Sequence, residues 1–347
     1  IVPTTEAEIG LSPAYRGRDL RAFDKLFYFK PERMVLMFIE KLISKINEKK
    51  NPTVMGLDPK LEYIPLSIRR KNLELFGNTF KAASESIFEF NSKLMDAVID
   101  VIPVIKPQLA YYEMYGIEGL IAFCRTVEYG KKKGFIIIGD GKRNDIGSTS
   151  QAYSSAFLGR TVLEDGGKAA AFDVDALTVN AYLGIDGIKP MLEDCASYNK
   201  GIFALVKTSN PSSSQLQDMV LEDGRKVYEL MADLVTEWGN ELIGEHGYSS
   251  VGAVVGATWP EQLKTLRSRM KSVYFLVPGY GAQGGGAADV SAAFDNKGLG
   301  AVINASRSLM CAYKLDRWKK DFTIEEFDLA CREEALRMRD EITNEIN

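Results

Sequence analysis

The chain has 347 residues, 46% of them hydrophobic and 26% charged, which is ordinary for a globular protein and enough for a large core. A net charge of −4 supplies no general positive field for nucleic acid or an anionic membrane, so any phosphate must be held by a local site. Four scattered cysteines with no C-x-x-C pair, and a single histidine, argue against zinc centres, disulfide scaffolds and Ser-His-Asp or Cys-His catalysis. In chain order, residues 1–36 lack any strand-helix rhythm and are set apart as an extension, leaving 37–347 as a single barrel domain. Met34 to Ile46 has helical apolar spacing and is expected to cover the bottom of that barrel.

Short Val- and Ile-rich runs then recur at Thr53–Leu57, Val101–Ile105, Phe135–Ile138, Ala176–Val179, Ile202–Val206, Val251–Val255, Val273–Val277 and Ala301–Ile303. Helical patterns lie between them at Thr79–Ile99, Gly116–Lys133, Ser148–Leu158, Lys226–Glu245 and Pro260–Met270. Strand and helix alternating eight times predict an α/β fold with a parallel sheet closed as a (β/α)8 TIM barrel; an open doubly wound sheet is the alternative. His246, inside Gly244–Tyr248, reads as part of a helix-end turn with a structural role. Thr323-Ile324-Glu325-Glu326 resembles a capping box opening a last helix to Ile346. No apolar run approaches the ~20 residues of a membrane helix and no secretory leader is read, so the cytoplasm is expected.

The third strand carries the strongest chemical signal. Asp140, Lys142 and Asp145 arrive at the carboxyl end of Phe135–Ile138, where barrels place their chemistry. Asp140 and Lys142 are two apart, so an extended chain points both to one face, and a lysine between carboxylates stays cationic. Such a group can deliver a proton beside a developing negative charge. Two later strand ends read as an anion site. Pro278 to Gly286 is glycine-rich, and Arg307 follows the eighth strand, the pair of loops where barrels hold phosphate. No P-loop and no dinucleotide fingerprint is present.

Asp140-x-Lys142-x-x-Asp145-Ile146-Gly147-x-Thr149, together with Gly56-Leu57-Asp58-Pro59, Lys106-Pro107-Gln108, Lys207-Thr208-Ser209-Asn210-Pro211 and Pro278-Gly279-Tyr280-Gly281-Ala282-Gln283-Gly284-Gly285, resembles the orotidine 5′-phosphate decarboxylase family, in its longer bacterial branch. The resemblance implies a metal-free, cofactor-free decarboxylation of orotidine 5′-phosphate to UMP in pyrimidine biosynthesis. It makes Lys142 the proton donor to C6, flanked by Asp140, with Lys106 and Asp58 binding the ribose hydroxyls and orienting the pair. It also implies a homodimer in which Asp145 and Thr149 reach the partner site. Ser209, or alternatively Asn210, reads the pyrimidine edge; Gln283 and Arg307 hold the 5′-phosphate. Here the chain departs from the pattern, since no tyrosine follows the glutamine, and Tyr280 or the backbone amides of Gly284 and Gly285 are the substitutes. Two rivals remain: a Mg²⁺-dependent sugar-phosphate decarboxylase resembling 3-keto-gulonate 6-phosphate decarboxylase, which needs an acid where Lys106 stands, and a silent barrel that only binds a nucleotide monophosphate.

Overall fold

The computed structural model describes residues 36–258, 260–281 and 286–346, so all of the expected extension but Leu36 lies outside the described residues. Eight parallel strands follow the chain: β1 (Thr53–Leu57), β2 (Val104–Pro107), β3 (Ile136–Arg143), β4 (Ala176–Val179), β5 (Gly201–Lys207), β6 (Ser249–Val255), β7 (Val273–Pro278) and β8 (Ala301–Ala305). Each pairs with its sequence neighbours, and β1 pairs with β8 to close the barrel.

Period-two alternation sorts the strand residues into two cores. Met55, Ile105, Ile137, Leu177, Ile202, Ala253, Phe275 and Ile303 face outward and pack under the helices. Val54, Val104, Ile136, Ile138, Phe203, Tyr274, Leu276 and Val302 face inward. Counting on by twos from Val54, Val104, Ile138, Val302 and the likewise inward Ala176 reaches Asp58, Lys106, Asp140, Asn304 and Thr178 at the carboxyl ends. The strand period therefore positions the polar mouth as well as the apolar interior.

The amino end of the barrel is filled by the helix Phe38–Lys49. Its buried face, Phe38, Ile39, Leu42, Ile43 and Ile46, joins the inward core, as the sequence pattern predicts. Phe38 meets Phe203 edge-to-face with ring centroids 6.1 Å apart, and a Cβ at Gly201 would overlap the Phe38 ring. Burying Phe38 contributes about 1.5–3 kcal/mol and the aromatic pair about 1 more. His246 has the structural role expected of it: its Nδ1 and backbone N–H both meet the buried Glu40 carboxylate of this helix. At the far end of the chain Thr323 caps a turn through Glu326, and the helix Phe327–Ile346 lies on the exterior with Phe327 stacked on Phe90 at 4.6 Å.

Among the strands and the helices between them, three boundaries differ from the sequence reading by more than two residues. β2 starts at Val104, because the N–H groups of Val101 and Ile102 are used to cap the preceding helix at Val98 O. The helix expected over Lys226–Glu245 ends at Trp238 and gives way to a short 3₁₀ turn, Asn240–Leu242. β3 runs on through the charged residues to Arg143. A small antiparallel hairpin, Thr161–Val162 with Lys168–Ala169, is an addition that no apolar run announced.

Candidate active site

The carboxyl ends of the strands surround a cavity of about 770 Å³. Its floor is apolar, made in part by Leu205, Val254 and Leu276, which also belong to the layer packed above the plugging helix. On that floor stands a chain of charges. Asp140, 6% exposed, lies between two lysines: Lys106 Nζ donates to Oδ2 at 2.5 Å and Lys142 Nζ to Oδ1 at 2.7 Å. Gln108 Nε2 donates to Oδ2 at 3.1 Å and the Thr178 hydroxyl to Oδ1 at 2.7 Å, so both carboxylate oxygens are fully engaged.

Burial alone would push the Asp140 carboxyl up, but Lys106 and Lys142 outweigh it and hold the group far below the usual carboxylate range. For Lys106, burial opposes the charge, and Asp140 followed by Asp58 more than compensate, leaving its ammonium above the ordinary lysine value. Asp58 behaves oppositely: burial raises its carboxyl more than Lys106 lowers it. Its Oδ1 is buried with no hydrogen-bond partner among the described residues, as is Asn304 Oδ1. Buried orphan acceptors are costly and mark a place where a donor belongs.

Lys142 reaches Asp140 by a route that differs from the expected one. Its backbone is not extended but left-handed, with φ 47°, inside a register shift between Gly139 and Arg143. A non-glycine residue held there costs about 1–2 kcal/mol. The turn is held by Thr178, whose hydroxyl accepts from Lys142 N at 3.0 Å while donating to Asp140. Thr178 is the principal residue that the sequence reading missed; Asn180, just past the end of β4, is exposed and accepts from Tyr182 N.

Asp58, Lys106, Asp140, Lys142, Ser209, Asn210 and Arg307 all line the same cavity, although five different strands deliver them. Asp145 and Thr149 do not line it; Asp145 is half-buried and accepts from Ile146 N at 2.7 Å, and Thr149 is exposed. Gln283, Gly284 and Gly285 lie outside the described residues. Tyr280 lines the cavity, but its hydroxyl is committed to Glu341 Oε2 at 2.9 Å on the last helix, which removes it as the simple substitute for a phosphate-loop tyrosine.

Fold and site together define a (β/α)8 barrel with an alternating lysine and carboxylate array at the strand ends. The family model described as "Orotidine 5'-phosphate decarboxylase / HUMPS family" matches residues 78–316. An orotidine 5′-phosphate decarboxylase from Caldicellulosiruptor bescii is 41% identical over 280 residues, covering 81% of this chain and 91% of that protein. One from Rhodopirellula baltica is 40% identical over 308 residues, 89% of this chain and 99% of its own. A crystal structure from Toxoplasma gondii, described as an orotidine-monophosphate-decarboxylase, superposes with a TM-score of 0.67 at 30% identity over 88% of this chain and 98% of that one. The chain belongs to the orotidine 5′-phosphate decarboxylase / HUMPS family.

Proposed function

We propose that this protein decarboxylates orotidine 5′-phosphate to UMP and CO₂ in pyrimidine biosynthesis, with Lys142 as the proton donor and no metal in the reaction. The observation that carries the reading is the Lys106–Asp140–Lys142 array on the floor of a cavity rimmed by Arg307. As the bond from C6 to the carboxylate breaks, its electron pair stays on C6. The Lys142 ammonium stabilises that charge and then protonates it; the resulting amine regains its proton from water. Asp140, kept ionised by its two lysines, holds the ammonium in place and faces the departing carboxylate. Asp58, with its orphaned Oδ1, and Lys106 take the ribose hydroxyls. Ser209 is the better reader of the pyrimidine edge, because the Asn210 amide is already spent on Thr208 and Ser212. Arg307 receives the 5′-phosphate together with Gln283 and the amides of Gly284 and Gly285.

A buried ammonium at 106 opposes a divalent cation at the end of β2, which separates this reading from the metal-dependent branch. Asp145 and Thr149 act in the site of a second copy. Supporting this, the Asp145 backbone lies against Gly187, beside a set of exposed apolar side chains that includes Ile146, Leu183 and Ile185. No helix among the described residues is long and apolar enough to cross a membrane, and the reaction is assigned to the cytoplasm. The test is the fall in orotate absorbance when protein meets orotidine 5′-phosphate in EDTA, with Lys142→Ala as control. EDTA-resistant turnover that vanishes in the variant is expected. A variant that keeps a tenth of the activity removes Lys142, and UMP binding without turnover points to a silent barrel.

A further inference from the structure

Lys207 ends β5 with its side chain fully buried, yet the proposed chemistry does not use it. Its Nζ donates to Asp218 Oδ2 at 2.8 Å and Ser213 Oγ at 3.3 Å, and lies 5.6 Å from the centre of the Tyr228 ring. Breaking a buried pair of this kind leaves an uncompensated charge, so residues 213–218 are tied back to the strand end. That tied segment carries Gln217, which grips Thr208 twice. Gln217 Oε1 accepts from Thr208 N at 2.9 Å, and Nε2 donates to Thr208 Oγ1 at 2.8 Å.

Thr208 Oγ1 passes the restraint on by donating to Asn210 Oδ1 at 2.6 Å, and Asn210 Nδ2 donates to Ser212 Oγ at 3.1 Å. Ser209 is thereby clamped from both chain neighbours. Just past the end of β6, Gly256 presses on it so closely that a Cβ there would stand 2.9 Å from the Ser209 N, Cα and Cβ, and Thr258 Oγ1 donates to Ser209 O at 3.4 Å. The Ser209 hydroxyl itself has no hydrogen-bond partner among the described residues and lines the cavity. A loop whose polar groups are satisfied internally around one open hydroxyl has the form of a preorganised reader.

We propose that Gln217, braced by the Lys207–Asp218 pair, is a specificity-determining positioning residue that fixes where Ser209 meets the pyrimidine and so enforces uracil over cytosine. This rests on the decarboxylase reading. A hydroxyl can donate or accept, so by itself it distinguishes a 4-oxo from a 4-amino base poorly. Discrimination requires that the hydroxyl and the adjoining backbone be unable to shift, because only then is the wrong edge left unpaired.

The test is calorimetric binding of UMP, CMP and ribose 5-phosphate to the full chain, with Gln217→Leu and Thr208→Val as two independent ways to release the loop. Both variants are expected to lose UMP affinity by about tenfold and keep ribose 5-phosphate affinity within about twofold, shrinking the UMP-to-CMP preference about tenfold. KM for orotidine 5′-phosphate should rise more than kcat falls. A wild-type preference that survives in both variants, or equal weakening of all three ligands, overturns the proposal. Absence of turnover in the wild type instead strikes the decarboxylase reading, which the binding ratios do not depend on.

Discussion

At the amino end of the barrel Phe38, Ile39, Leu42, Ile43 and Ile46 fill the opening with apolar side chains buried to within 4% of completely. At the carboxyl end Lys106 and Asp140 are almost as deeply buried, but as ions, beside a left-handed Lys142 and an orphaned Asp58 oxygen. One layer of inward side chains, including Val254 and Leu276, serves both ends as roof of the plug and floor of the site. The comparison teaches that the fold concentrates its stabilisation at the end opposite the candidate site. That stabilisation lets it hold ions and strain at the candidate site.

Substitutions on the two sides of the shared layer should therefore separate stability from activity. The largest effect belongs to Lys142→Gly, which removes the proposed proton donor while allowing the left-handed turn. Turnover should fall on the order of 10⁴-fold, with no loss of thermal stability and a gain of up to about 1 kcal/mol from relieved strain. A clear drop in melting temperature would mean that Lys142 is structural. Phe38→Ala should do the reverse, lowering unfolding free energy by about 3–5 kcal/mol while the folded fraction keeps its kcat. Denaturant titration alongside the absorbance assay checks both halves. Arg307→Ala should reduce kcat/KM for orotidine 5′-phosphate by about 10- to 100-fold and leave the slow reaction of the unphosphorylated nucleoside nearly unchanged; equal losses would place Arg307 elsewhere.

The smallest effect is at Asp173, in the segment that leads into β4 and outside both the plug and the candidate site. Burial raises its carboxyl, but hydrogen bonds from Lys131 and Lys200 prevail and bring it to about 2. A depressed carboxylate contributes stability that is complete above its unfolded value of 3.8 and is lost as pH falls toward 2. Asp173→Asn should cost about 1 kcal/mol at neutral pH, after allowance for solvent screening, and flatten the stability curve between those two values. An unchanged acid limb in the variant would remove Asp173 as its source.

The sequence was legible wherever local pattern and strand period act together. Val- and Ile-rich runs located all eight strands, and two of the charges after Ile138, Asp140 and Lys142, line the cavity at the strand ends. Val101 and Ile102 misled because apolar residues that cap a helix look like the start of a strand. Thr178 was overlooked because a threonine inside Ala176–Val179 is ordinary strand material. Its role exists only once β4 lies beside β3, a contact between residues 38 apart. The left-handed Lys142 was equally hidden, since nothing local requires it and the Thr178 hydroxyl that holds it comes from another strand.

The helix that closes the amino end also decides the traffic through the barrel. With that opening sealed by Phe38 and its neighbours, the chamber formed by the described residues is shut at the amino end and faces the carboxyl ends of the strands. Gas and nucleotide therefore cannot drain through the packed amino end and are released on the side of the strand carboxyl ends.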